Sequence, residues 1–437
     1  MTATLTLDAL LADHARPLAP PVRRAGRVTA FDGTTIEAIG LEALVGARAR
    51  IGPDRQAAEV IGFREGRALL MGLSPLTGIR PGAMVAMDSL YADADTGAGL
   101  LGRVIDGLGR PLDGLGPIRT TQRRPLVPAP LAPAARARVR TALMTGVRAI
   151  DGLLTLGRGQ RVGIMAGTGV GKSVLLGQIA RWAEADVVVM ALIGERGREI
   201  TDFIETELSG PARSRTVTLA VPAGDAPLLR VRGAERAFAI AEHFRDQGRH
   251  VLLILDSLSR VVHGAREVAL ARGENAGGRG YPPSAMALIA ALAERAGGLR
   301  SGGAITAIMT VLAEADEGGD AVVDAARGVL DGHLLLSRKL AGRGGFPAID
   351  LSASASRVMA DVTDAVHLGA AARFRRLNAL IEDNRDLVLM GAYAPGADPE
   401  LDAALALSPR LEAFRCQPRA ECALGARDML LDLMGAA

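Results

Sequence analysis

Residues 166–173 read Ala166-Gly167-Thr168-Gly169-Val170-Gly171-Lys172-Ser173. This is the spacing of a phosphate-binding P-loop, with Ala at a first position where Gly is commoner. An apolar strand-like run, Arg161–Met165, precedes it, and a helical pattern, Val174–Arg181, follows. That context disfavours a chance glycine-rich turn. The glycines let backbone N–H groups turn inward around phosphates, and the helix start adds its dipole. The binding stretch then runs from Ala166 to Val174, with Lys172 reaching the β- and γ-phosphates of ATP and Ser173 offering a hydroxyl to Mg²⁺.

Two carboxylates belong beside this loop. Asp256 ends the apolar run Val251–Leu255. Ligands of an α/β sheet sit at the carboxyl ends of strands, where such a residue holds the metal's water shell. A helix-capping role is the bland alternative. Glu195 follows another apolar strand, within Ile193-Gly194-Glu195-Arg196-Gly197-Arg198-Glu199. Hydrolysis needs a group that orients or deprotonates water, and Glu195 is the best-placed carboxylate. From pattern alone an ordinary glutamate before a helix reads equally well. Arg196 beside it is placed to meet a phosphate.

Outward from the loop, short apolar strands alternate with helices: Val187–Leu192, Thr216–Val221, Val251–Leu255, Ile305–Val311 and Leu334–Leu336, with a helix over Leu228–Gln247 among those between. Alternation of this kind predicts an α/β domain with a parallel sheet and helices on both faces. Before it, residues 24–95 carry short strands at Arg27–Phe31, Thr34–Ile39, Glu59–Phe63, Ala68–Leu73 and Met84–Met87, parted by turns such as Asp32-Gly33. These predict a small β-barrel. Residues 102–140, rich in Gly and Pro, read as a connector packed along the sheet domain. After about Asp364 only helices are expected, at Leu377–Ile381, Pro399–Leu405 and Arg427–Met434. The predicted division is a tail over 1–20, a barrel over 21–95, a nucleotide domain over 96–365 and a helical domain over 366–437. The tail carries one short amphipathic helix, Thr4–Leu11, stopped by Pro17, Pro20 and Pro21.

Composition agrees with a folded protein: 49% hydrophobic, 23% charged and only 3% aromatic, so aliphatic side chains fill the cores. A net charge of +3 does not argue for a nucleic-acid partner. Of 51 basic residues only Lys172 and Lys339 are lysine, so a lysine inside the P-loop is informative. Cys416 and Cys422 are too few to form a disulfide framework and are read as reduced. Met1–Leu11 lacks the basic region of a secretory signal, and no apolar run reaches the length of a membrane span, so a cytosolic protein is expected.

Several separated motifs carry a family resemblance. The P-loop, Gly194-Glu195-Arg196, Leu255-Asp256-Ser257-Leu258-Ser259-Arg260, Gly278-Arg279-Gly280-Tyr281-Pro282-Pro283-Ser284 and Phe346-Pro347-Ala348-Ile349-Asp350 resemble the rotary ATP synthase catalytic subunit and its relatives. Thr145-Gly146-Val147-Arg148-Ala149-Ile150-Asp151-Gly152, Gly157-Arg158-Gly159-Gln160-Arg161, Asp331-Gly332-His333 and Gly391-Ala392-Tyr393 are similar, more closely, to the flagellum-specific ATPases of type III export. The resemblance covers about residues 24–420. It implies a RecA-like P-loop domain with a small β-barrel before it and an α-helical domain after it, assembled as a homohexamer. It also implies roles. Glu195 matches the catalytic carboxylate, Arg196 and Arg260 match arginines near the phosphates, and Phe346 matches the aromatic that stacks on adenine. Arg357 matches an arginine finger donated by the neighbouring subunit. One departure is Arg419, which stands where the synthase has a second aromatic at the base.

The expected function is ATP hydrolysis powering protein export, flagellar rather than injectisome. Expected partners are a stator-like regulator at the tail, a coiled-coil stalk protein in the ring, and the export gate with substrate–chaperone complexes, at the cytoplasmic face of the apparatus. Two readings compete. A rotary synthase subunit is disfavoured because residues 391–402 lack that enzyme's acidic rotor-engaging loop. A Rho-like RNA translocase is disfavoured because the first 150 residues hold only Phe31, Phe63 and Tyr91 as stacking platforms.

Overall fold

Strand alternation in the first hundred residues closes into a barrel. The computed structural model describes residues 25–89, 92–313 and 320–435; the tail helix expected over Thr4–Leu11 lies outside them. Six antiparallel strands, β1 (Gly26–Phe31), β2 (Thr35–Ile39), β3 (Arg48–Ile51), β4 (Gln56–Arg64), β5 (Arg67–Gly72) and β6 (Met84–Ser89), run in the order β1-β2-β5-β4-β3-β6 and close β6 onto β1. Ile36, Ile51, Val60, Leu70 and Val85 fill the interior. The turn between β1 and β2 forms because Asp32 Oδ1 accepts from the amides of Thr34 and Thr35, and Gly33 takes a φ of 94°. β3 was not among the expected strands. Its sequence Arg-Ala-Arg-Ile alternates, with Ala49 and Ile51 turned inward, but its two arginines hide the apolar signal.

Contacts divide the chain between Ala92 and Asp93. The second unit is built on a sheet whose main path is β14-β13-β8-β12-β11-β9-β10-β7. Here β7 is Val104–Asp106, β8 Arg161–Ala166, β9 Val187–Ile193, β10 Thr216–Val221, β11 His250–Asp256, β12 Ala304–Leu312, β13 Gly332–Leu336 and β14 Ile349–Ser356. All pair in parallel except β14, which runs antiparallel to β13. Central strands are buried on both sides, so their side chains alternate between two cores. Val188, Met190 and Leu192 face one with Leu252 and Ile254, while Val187, Val189 and Ala191 face the other with Val251, Leu253 and Leu255.

Helix α1 (Lys172–Trp182) covers the first face, and α3 (Pro227–Arg245) and α4 (Leu258–Ala271) cover the second; α2 (Gly197–Thr206) packs Ile200 and Phe203 into the first core. The short α5 (Arg338–Gly342) follows β13. The C-terminal helices α6 (Ala365–Asp383), α7 (Pro399–Arg415) and α8 (Ala426–Met434) join the first core through Phe374, Phe414 and Leu430, so they belong to the same unit as the sheet. The first two extend well past the expected ranges, α7 continuing through Pro409 to Arg415, while α8 matches its expected range to within one residue. Within the Gly- and Pro-rich connector, Val104–Asp106 adds an edge strand to β10. Asp113 fixes its start by taking Arg103 Nε at 2.7 Å and the Val104 amide at 2.9 Å.

Candidate active site

The P-loop strand β8 lies between β12 and β13, so its carboxyl end opens between neighbouring strand ends, where α/β sheets bind ligands. The chain turns there through Gly169 (φ 77°) and Gly171 (φ 86°), both left-handed, before α1 begins at Lys172. Two side chains press on this turn. A Cβ on Gly167 would lie 2.9 Å from Arg338 Nη2, and one on Gly171 would lie 3.1 Å from the Phe346 ring. Arg338 opens α5 and Phe346 follows that helix, so one segment touches the loop at both ends.

Lys172 points across to the ends of β9 and β11. Its Nζ donates to Asp256 Oδ1 at 2.5 Å and to Glu195 Oε1 at 3.2 Å. Thr310 Oγ1, on the adjacent strand β12, donates to the same Asp256 oxygen at 2.6 Å. Asp256 is only 3% exposed, so these partners are what make its burial tolerable. Burial depresses the Lys172 ammonium, but the Asp256 and Glu195 carboxylates outweigh that and hold its pKa above the usual lysine value. Burial pushes the Glu195 carboxyl up; Lys172 opposes the shift and Asp256 adds to it. Glu195 is therefore a base of raised proton affinity beside a phosphate loop.

Arg260 lies next to this cluster. Its stem fills the space where a Cβ on Gly194 would sit, 2.6 Å from Arg260 Cβ, and its amide donates to Ser257 Oγ to cap α4. Gly194, with φ 76°, permits that approach and turns Glu195 toward Lys172. Arg196 is placed otherwise: its side chain is 84% exposed and pairs with Glu199 at 3.1 Å. Ser173 is exposed at the start of α1. Ser173 and Asp256 offer one hydroxyl and one carboxylate, and the described residues contain no cluster of three His, Cys, Asp or Glu side chains. Such a sparse donor set fits Mg²⁺, which keeps most of its ligands as water and phosphate oxygen.

Beyond Phe346 opens a cavity of about 580 Å³, lined by Gly171, Val174, Gln178, Phe346, Cys416 and Arg419 among others. Arg419 stands in its wall and donates to Glu207 Oε1. Both cysteines are free thiols.

Arg357 lies at the other end of the sheet. β14 runs antiparallel, and its last residue, Ser356, pairs with Gly332 at the start of β13. Gly163, two residues into the P-loop strand, pairs with His333. Arg357 therefore sits level with the start of β8, some five residues at about 3.3 Å each from its own loop, or roughly 16 Å. Its Nη2 donates to the Arg327 carbonyl, and the residue is exposed.

Three contributors escaped the sequence reading. Thr310 had a signal: a polar residue in the apolar run of β12, next to the strand ending in Asp256. Arg338 had none, because arginine is everywhere in this chain. Gln417 is 4% exposed and staples the cavity wall: its amide donates to the Phe346 carbonyl at 2.8 Å and its Oε1 accepts from the Arg148 amide at 2.7 Å.

Residues 146–356 match the ATP synthase alpha/beta family nucleotide-binding domain, and residues 363–427 match the T3SS EscN ATPase C-terminal domain. The flagellum-specific ATP synthase of Salmonella typhimurium is 50% identical over 411 residues, 91% of this chain and 90% of that one. The type 3 secretion system ATPase of Xanthomonas euvesicatoria is 42% identical over 416 residues, 94% and 93% of the two chains. Among solved structures, the assembled ATPase EscN of the enteropathogenic E. coli type III secretion system superposes with a TM-score of 0.89 at 40% identity, covering 94% of this chain and all of that one. EscN in complex with its central stalk EscO gives a TM-score of 0.87 at 39% identity, with 94% and 100% covered. With a P-loop lysine held between two carboxylates and likeness of this extent over nearly the whole chain, the protein is an ATPase and belongs to the family of flagellum-specific and type III secretion ATPases.

Proposed function

We propose that this chain hydrolyses Mg-ATP to drive protein export through a type III apparatus, the flagellar one. The observation that carries the chemistry is Lys172 Nζ bonded to both Asp256 and Glu195 at the mouth of the P-loop. Incoming phosphates draw the ammonium toward themselves and release both carboxylates. Asp256, kept in place by Thr310, then faces the position of the metal's water shell, and Ser173 supplies the hydroxyl ligand. Mg²⁺, when bound, neutralises charge on the β- and γ-phosphate oxygens. Glu195, deprived of its ammonium partner, accepts a proton from the attacking water. Arg260 beside Glu195 supplies positive charge to the phosphates, and Arg196 joins it by leaving Glu199. Phe346 offers a ring face to the adenine.

The flagellar assignment rests on the relatives, of which those named flagellum-specific include one at 50% identity. The injectisome reading keeps a specific support, the Xanthomonas enzyme at 42%. Deleting the gene and assaying culture supernatants separates them. Loss of hook and filament proteins, restored by the wild-type gene but not by Lys172→Ala, is the expected result. Unchanged flagellar secretion with loss of injectisome substrates would sink the flagellar assignment.

The working assembly is a ring of six at the cytoplasmic face of the export apparatus, with a coiled-coil stalk in its centre and the export gate and substrate–chaperone complexes beyond. The EscN–EscO complex supports the stalk by likeness. Among the described residues no helix is long and apolar enough to cross a membrane, in keeping with peripheral attachment through partners. The tail, through the leucines of its sequence, Leu5, Leu7, Leu10 and Leu11, is the proposed site for the stator-like regulator. Deleting residues 2–18 should spare basal ATPase activity and abolish co-purification of that regulator; retained co-purification would exclude the tail as its site.

A further inference from the structure

Two walls of the cavity beside the P-loop are tied together. One is Phe346, against Gly171. The other is the segment ending in Arg419, and the Gln417 amide donates directly to the Phe346 carbonyl at 2.8 Å. Gln417 is itself anchored, its Nε2 donating to the Gly146 carbonyl at 2.8 Å. The Arg419 guanidinium is held in turn by Glu207, whose carboxylate is buried and also takes Arg181 Nη1 at 2.6 Å. Glu207 has little freedom: it is wedged against α1, where a Cβ on Gly177 would lie 2.2 Å from its Oε2.

We propose that Arg419, oriented by Glu207, is a base-contacting residue that stacks on the nucleobase across from Phe346 and makes the site select purine rings by their size rather than by their edge. The inference rests on the reading of this cavity as the base site. A guanidinium is planar, weakly hydrated and stacks well on ring faces. Stacking tolerates any base, since every base has a π-face, and a two-ring purine offers more of it than a pyrimidine. Edge recognition needs free polar groups, and the side-chain amide nitrogens lining the cavity are turned to backbone carbonyls. Gln178 Nε2 faces the Pro418 carbonyl at 3.4 Å, and Gln417 is spent on the Arg148 amide and the Gly146 carbonyl. ATP and GTP are therefore both substrates, and CTP is a poorer one. Glu207 is a positioning residue that acts through Arg419.

The test is steady-state ATPase, GTPase and CTPase kinetics on the purified full chain, with ADP binding followed calorimetrically. Wild type should show KM values for ATP and GTP within about tenfold of each other, and a higher value for CTP. Arg419→Ala should raise KM for both purine nucleotides about tenfold, the size of one lost stacking contact, with kcat within about threefold. Arg419→Phe should restore KM for ATP. Glu207→Gln should raise KM in the wild-type background and add nothing in Arg419→Ala, as expected if the two act as one unit. Arg419→Ala with KM unchanged, or ATP favoured over GTP more than about a hundredfold, would overturn the proposal while leaving the ATPase assignment intact. A further KM rise from Glu207→Gln on top of Arg419→Ala would overturn the orienting role. A wild-type protein that binds no ADP would overturn the base-site reading together with the inference.

Discussion

Lys172 Nζ lies 2.5 Å from Asp256 Oδ1, so the cation proposed to meet the phosphates and the carboxylate proposed to face the metal's water shell neutralise one another. Binding must exchange this ion pair for contacts to phosphate and metal. The pair keeps two largely buried charges tolerable.

Lys172→Arg keeps the charge and should still abolish hydrolysis. A compact ammonium fits between Asp256 and Glu195, whereas a planar guanidinium is too broad for the loop. Lys172→Ala should in addition destabilise the nucleotide-free protein by about 3 kcal/mol, because Asp256 is left buried beside Glu195 without its cation. Phosphate release assays and thermal melts check both outcomes. Wild-type turnover in Lys172→Arg would remove the P-loop assignment.

Glu195→Gln should bind Mg-ATP within a few-fold of wild type, while hydrolysis falls by roughly 10²-fold or more. Because burial raises the Glu195 pKa, the acid limb of the wild-type pH–kcat/KM profile should lie above the ordinary glutamate range. Activity rises with pH through that limb as the carboxyl loses its proton, and the residual activity of Glu195→Gln should lack it. Collapse of nucleotide binding in the variant would make Glu195 a structural residue.

Asp151 gives a separate handle, on stability. Its carboxylate is 1% exposed and accepts from Thr145 N, Thr145 Oγ1 and Gly146 N at 2.7–2.8 Å. Burial pushes its pKa up to about 7 against those hydrogen bonds, from 3.8. A raised folded-state pKa contributes stability that is full below the unfolded value and lost as pH rises through the folded one. Wild type should therefore lose stability relative to Asp151→Asn between about pH 4 and about pH 7, in denaturant melts of the two proteins side by side. A stability difference that is flat across that window would place the Asp151 titration elsewhere.

Much of this molecule was legible in its sequence, for physical reasons that differ by element. Buried parallel strands are continuous apolar runs, so Val187–Ile193 and Thr216–Val221 were found within a residue. β3 and β7 were not, one masked by Arg48 and Arg50 and the other three residues long inside a glycine-rich connector. Lys172, Asp256 and Glu195 were visible because each follows a strand that announces itself, and the structure brings the three together. Arg357 and Phe346 carry no local signal and were named only through resemblance. The network of Arg419, Glu207 and Arg181 joins α1, the end of α2 and the segment after α7, and pairing across such distances in sequence leaves no trace in a local pattern.

Arg357 should act on a neighbour's nucleotide. Level with the start of the P-loop strand and roughly 16 Å from its own loop, it has no path to its own phosphates. Its guanidinium is exposed and, among the described residues, donates to the Arg327 carbonyl, a single contact that it can leave when a second subunit docks. An arginine finger stabilises charge developing on the transferred phosphoryl group, and its loss costs roughly 10³–10⁵ in rate. Arg357→Ala should thus bind ATP normally and hydrolyse little, and wild-type specific activity should rise with protein concentration as rings form. Mixing gives the sharper result. Arg357→Ala keeps an intact P-loop, and Lys172→Ala keeps an intact Arg357. A mixed ring therefore contains some interfaces in which a working loop faces a working arginine. Partial recovery of ATPase activity on mixing two inactive proteins is expected, in proportion to the fraction of such interfaces. Absence of recovery in rings shown by mass spectrometry to contain both chains would mean that Arg357 does not complete a neighbour's site.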